Sequence, residues 1–64
     1  MKTMIDLDIE SYYKAMEEGL TGTALAIEKK YGLAGYPPSV VMVGLHAISE
    51  GKSPGKAIDE MMEL

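Results

Sequence analysis

The chain of 64 residues has no cysteine, no tryptophan, no phenylalanine and a single histidine. Without Cys there can be no disulfide, thiolate zinc site or cysteine nucleophile, and one His provides no pair of imidazoles for a metal. Arginine is also missing, and six lysines stand against ten carboxylates for a formal charge of −4. Affinity for phosphate backbones comes from clustered Lys and Arg that displace counterions, so direct nucleic-acid binding is not expected. No apolar run approaches the roughly 20 residues of a membrane span. The longest, Val40 to Leu45, ends at His46. No membrane partner is expected, and residues 1–6 lack the apolar stretch and small-residue cleavage site of a secretory signal, so a cytoplasmic protein is the expectation.

What is present is helical. A chain this short is expected to form a single domain over residues 1–64, and a domain of about 60 residues buries only about 60% of its unfolded surface. Ile9, Tyr12, Tyr13, Met16 and Leu20 recur at three- and four-residue steps with Glu10, Lys14, Glu17 and Glu18 opposite, the spacing of an amphipathic helix. Asp6 or Asp8 is suited to cap it, and Gly19 to end it. The alternation of Ile5, Leu7 and Ile9 with Asp6, Asp8 and Glu10 also allows a short extended N-terminal segment. A second helix starts at Thr21 or Thr23, whose hydroxyls suit a first turn, and carries Ala24, Ile27 and Tyr31 inward to a stop at Gly32. Glu28, Lys29 and Lys30 are placed on its far side.

Pro37-Pro38 forbids helix just before it, and Ser39 to Glu50 is apolar nearly all round at its start, which marks a central helix. Gly51 closes it. Ser53-Pro54 opens a fourth segment with Ala57, Ile58, Met61 and Met62 on one face and Lys56, Asp59, Glu60 and Glu63 on the other. The fold expected is all-α, a compact bundle of three to four short helices around an apolar third helix.

Recognisable catalytic patterns fail on spacing. Asp6, Asp8, Glu10 and Glu17 fall at positions 1, 3, 5 and 12 of a calcium loop, but Ser11 stands where that loop needs glycine. Gly51-Lys52-Ser53 lacks the preceding glycine spacing of a phosphate loop. His46 and Glu50 lie one helical turn apart without further ligands, and the serines have no base with an orienting partner. A non-enzymatic protein without cofactor or metal is expected. A helix-turn-helix regulator is a weaker reading, because Ser39 to Glu50 holds no Lys, Arg, Asn or Gln to read bases. Gly35-Tyr36-Pro37 and Ala57-Ile58 with Met61-Met62 resemble ubiquitin-associated-type three-helix modules over residues 24–64. Ala34 and the turn length around Gly51 depart from that pattern, and the chain is not assigned to the family.

Two excesses remain. Five carboxylates and one lysine lie between Ile5 and Glu18, and six methionines and four tyrosines occur in a short chain. The internal methionines are expected chiefly as core filling. One or two tyrosines are expected at a surface that a partner covers. The partner-facing set expected from charge and aromatic placement is Asp6, Asp8, Glu10, Tyr12, Tyr13, Glu17, Glu18, Asp59, Glu60 and Glu63. The role expected is that of a small acidic module that occupies a basic surface on a protein partner, such as a nucleic-acid-binding protein. Phage-type inhibitors of the anti-CRISPR or anti-restriction kind, some of them DNA mimics, are the physical analogy. The alternative is a structural module, a homodimer or assembly subunit, joined through Met and Tyr.

Overall fold

Thr3 starts the first helix. Its hydroxyl accepts from the Asp6 amide at 3.3 Å while the Asp6 carboxylate accepts from the Thr3 amide at 3.2 Å, so two otherwise free donors of the first turn are satisfied reciprocally. The computed structural model describes residues 2–62, and in it α1 spans Met4–Glu18, α2 Thr21–Lys30, α3 Pro38–Ser49 and α4 Pro54–Met62. There is no strand among the described residues, so the alternating N-terminal segment is helical from Met4 onward. The cap is Thr3 rather than either aspartate. Asp6 acts from inside the first turn, where the positive end of the helix dipole favours its charge.

Gly19 ends α1 in the left-handed conformation, φ 72°, with its amide donating to the Ala15 carbonyl. Leu20 then leads straight into α2, and its carbonyl accepts from the Ala24 amide at 3.1 Å. Neither Thr21 nor Thr23 caps α2, because the two-residue connection places both inside the helix. After α2, Gly32 turns the chain back at φ 70°, and the Leu33 amide donates to the Glu28 carbonyl at 2.7 Å. That turn drives the Leu33 side chain inward, where only 3% of its surface remains exposed. Pro38 begins α3 without needing the amide it lacks. The Ser53 hydroxyl accepts from the Lys56 amide at 3.5 Å in the first turn of α4.

The bundle is all-α, with α1 packed on α2 and α3, and α4 packed on α3. Val41 and Leu45 of α3 are fully buried, and Ile9, Tyr12, Ile27, Leu33 and Ile58 close over them from the other elements. Gly44 makes this possible. A Cβ there would stand 2.9 Å from one Leu33 methyl and 3.5 Å from an Ile58 methyl, closer in the first case than packed carbons tolerate. The molecule measures 31 × 28 × 17 Å. The short dimension is under two helix diameters of roughly 10 Å each, so each helix retains a face toward solvent.

Burial in so small a core sets large penalties. Leu45→Ala should lower unfolding free energy by about 2–5 kcal/mol, whereas Leu25→Ala, at a position 44% exposed, should change it by roughly 0.5 kcal/mol or less. Gly44→Val should cost about 1–3 kcal/mol through overpacking against Leu33. Urea denaturation followed by circular dichroism measures all three.

Candidate functional site

Helix α1 buries only part of the apolar stripe its sequence displays. Ile9, Tyr12 and Ala15 face the core, while Tyr13, Met16 and Leu20 are 54%, 44% and 47% exposed. Tyr12, expected at a partner surface, is instead sealed in the core. Its phenol donates to Glu28 at 2.8 Å, so Glu28 turns toward α1 rather than lying on a far side of α2. A buried hydroxyl without an acceptor would carry a desolvation cost, and Glu28 removes it. Burial first, and the adjacent Glu28 second, push the Tyr12 phenol up to about 12.

Met16 and Leu20 border a groove between the end of α1 and the start of α2. Ala15, Gly19, Thr21, Ala24, Leu25, Glu28 and Pro38 complete its lining; the space is about 330 Å³. Met16 is therefore a surface residue, not core filling. Met42 and Met61 do pack against the core from partly buried positions, and Met4 and Met62 are exposed.

The acids divide into spent and free. Asp8 accepts from Lys30 at 2.8 Å and from the Tyr31 phenol, and Lys30 lies 5.5 Å from the centre of the Tyr31 ring. The hydrogen bond from Lys30, followed by that from Tyr31, holds the Asp8 carboxyl below its usual range. The Tyr31 phenol is raised in turn, chiefly by burial and then by Asp8. Glu10 pairs with Lys2, and Asp6 is engaged in the cap of α1. Glu17 and Glu18 have no ion pair within 4 Å among the described residues and border one shallow concavity with Glu10, Tyr13 and Lys14. They sit at the negative end of the helix dipole, whose last turn holds no basic residue, and Lys14 one turn earlier is the cation nearest in sequence.

The acids of α4 are reached through an aromatic contact. Tyr13 and His46 are hydrogen-bonded at 3.3 Å with their rings tilted and 6.3 Å apart. His46 in turn shares a concavity with Glu50 and Glu60, which also holds Lys52. Glu50 is bridged to Lys52 at 3.4 Å. Helices α1 and α4 share no extensive packing surface, and the Tyr13–His46 contact is what links α1 to the concavity that holds Glu60. Asp59 is exposed, and Glu63 lies outside the described residues. No cluster of three or more His, Asp or Glu side chains suited to a metal occurs among the described residues. No helix among them is long and apolar enough to cross a membrane.

The pairing of Glu28 with Tyr12, and of Lys30 and Tyr31 with Asp8, was not legible from sequence. The signal available was the reach of a long α1 beside α2, which brings Asp8 and Tyr12 opposite the last turns of α2. Comparison with known proteins finds no family model, no curated protein and no solved structure that matches the chain.

Two pH limbs follow. A phenol with a raised folded-state pKa contributes stability below its unfolded value near 10 and loses it as pH rises toward about 12. Alkaline titration should therefore destabilise the fold across that window, and Tyr12→Phe should flatten the limb while costing about 1 kcal/mol at neutral pH. The depressed Asp8 carboxyl has the opposite sign: its contribution is present above the reference value of 3.8 and fades as pH falls through the lower folded value. Asp8→Asn should lower the midpoint at pH 7 and reduce the loss on acidification, read by thermal melts at several pH values.

Proposed function

We propose that the protein is a small acidic binding module that works by occupying a basic surface on a partner protein. The observation that carries this reading is the pair Glu17 and Glu18 beside the exposed Tyr13 ring, without an ion pair within 4 Å among the described residues and with Lys14 as the one cation in their concavity. Helix α1 thus presents a net negative charge next to an aromatic contact residue, a combination suited to a basic protein surface. The acids of the cap and of the Lys30 and Lys2 pairs contribute less field than their number suggests. Glu60 extends the surface past His46, and Asp59 adds charge on α4.

A surface of this kind acts without turnover and needs no cofactor. It fits a groove built for nucleic acid, where carboxylates take the place of phosphates, which is the physical mode of DNA-mimicking inhibitors of restriction and CRISPR systems. Complementary fields raise the association rate and lose their effect at high salt.

The test is affinity capture from the native host, followed by binding measurements at about 0.05 M and about 0.3 M salt, across which the Debye length contracts markedly. The Glu17→Gln, Glu18→Gln double variant should bind the captured partner about tenfold more weakly at low salt, with the difference shrinking at high salt. Equal affinity of the two forms at both salt concentrations would contradict the reading.

A further inference from the structure

The groove between α1 and α2 lies beside the charged surface and has a different chemistry. Its apolar lining includes Met16, Leu20, Ala24 and Leu25, and Glu28, which also lines it, is half-buried. Glu28 accepts from the Tyr12 phenol and has no ion pair within 4 Å among the described residues. An occupant that is apolar throughout would bury this carboxylate without a counterion, at a heavy desolvation cost. An occupant with one ammonium or guanidinium at the matching position would cover it with a charge-assisted bond.

We propose that this groove seats an amphipathic helix of the basic partner, its apolar side chains on Met16, Leu20 and Leu25 and one Lys or Arg on Glu28. This rests on the binding-module reading and names the chemistry of what is bound. The volume of about 330 Å³ is at the small end of ligand pockets, roughly 300–1,000 Å³, and a lining drawn from two helices, open to solvent, suits a few anchors on one face of a partner helix. Charge complementarity selects the occupant. A second copy of this chain carries a net charge of −4 and would bring like charge toward Glu17 and Glu18, whereas a basic helix is attracted by them.

The probe is a synthetic amphipathic helix of roughly 14 residues, four turns, built from Leu and Lys, with a Leu and Glu counterpart as control. Titration into the isotope-labelled full chain, followed by amide NMR, should shift Ala15 to Leu25 and Glu28. Leu25→Ser should weaken the Lys peptide about tenfold, and Glu28→Gln about threefold while keeping an acceptor for Tyr12; the Glu peptide should not bind. Leu25 is exposed, and Leu25→Ala gives a second variant if the serine form loses its helical spectrum. Shifts confined to Glu10, Tyr13, Glu17 and Glu18, indifferent to Leu25, would overturn the groove while leaving the acidic-surface reading intact. Absence of binding by the Lys peptide would count against both. Sedimentation showing a dimer that Leu25→Ser converts to monomer would assign the groove to a second copy and overturn the proposal.

Discussion

An apolar helix must be covered, and only three short helices and one loop residue are available to cover α3. Val41 and Leu45 have no exposed surface, and each such side chain contributes about 1.5–3 kcal/mol when fully withdrawn from water. The other elements are arranged by that requirement. Gly44 gives up a side chain so that Leu33 and Ile58 can approach, and α1 turns Ile9, Tyr12 and Ala15 inward. Ile5 is partly covered, and Met4, Leu7, Tyr13 and Met16 are left outside together with Leu20. The surface available for binding is thus a by-product of how the core is closed.

Electrostatics then refines what composition suggests. The acids differ in what they can offer: Asp8 and Glu10 are held by lysines and Asp6 by the amide and hydroxyl of Thr3. Without an ion pair among the described residues are Glu17 and Glu18 at the end of α1, Glu28 along the groove, and Asp59 and Glu60 on α4. Exposed ion pairs contribute little to stability, but they determine which carboxylates are free to attract a partner. The two exposed features of the α1–α2 region, charge and apolar wall, are adjacent because both lie on the end of α1 that the core does not use.

Much of the fold was readable. Gly19, Gly32, Gly51 and the Pro37-Pro38 and Ser53-Pro54 pairs each impose a local backbone constraint, so segment boundaries followed closely from residue type. The rotation of α1 was less readable. Successive residues are about 100° apart, and the stripe from Ile9 to Leu20 is wider than the face one neighbouring pair of helices can cover. Tyr12 and Tyr13 had equal claims by sequence, and tertiary packing placed one inside and the other outside. Leu33 was hidden because it sits in a glycine-bounded turn, although an unexplained glycine in the middle of an apolar helix was the available sign of a close approach. Glu28 reads with its neighbours Lys29 and Lys30 as part of a solvent face, while its own side chain answers the buried phenol of Tyr12. Of the partner-facing set, Glu10, Tyr13, Glu17, Glu18, Asp59 and Glu60 are exposed, Asp6 and Asp8 are half-buried, and Tyr12 is buried.

The division of the α1 stripe is most directly measured by NMR of methyl groups in the presence of a dissolved, uncharged paramagnetic probe. Covering α3 with only half of that stripe predicts strong broadening of the Met16 and Leu20 methyls and little at Val41 and Leu45. Equal protection of Met16 and Leu45 would contradict it, since the end of α1 would then have no apolar face to offer.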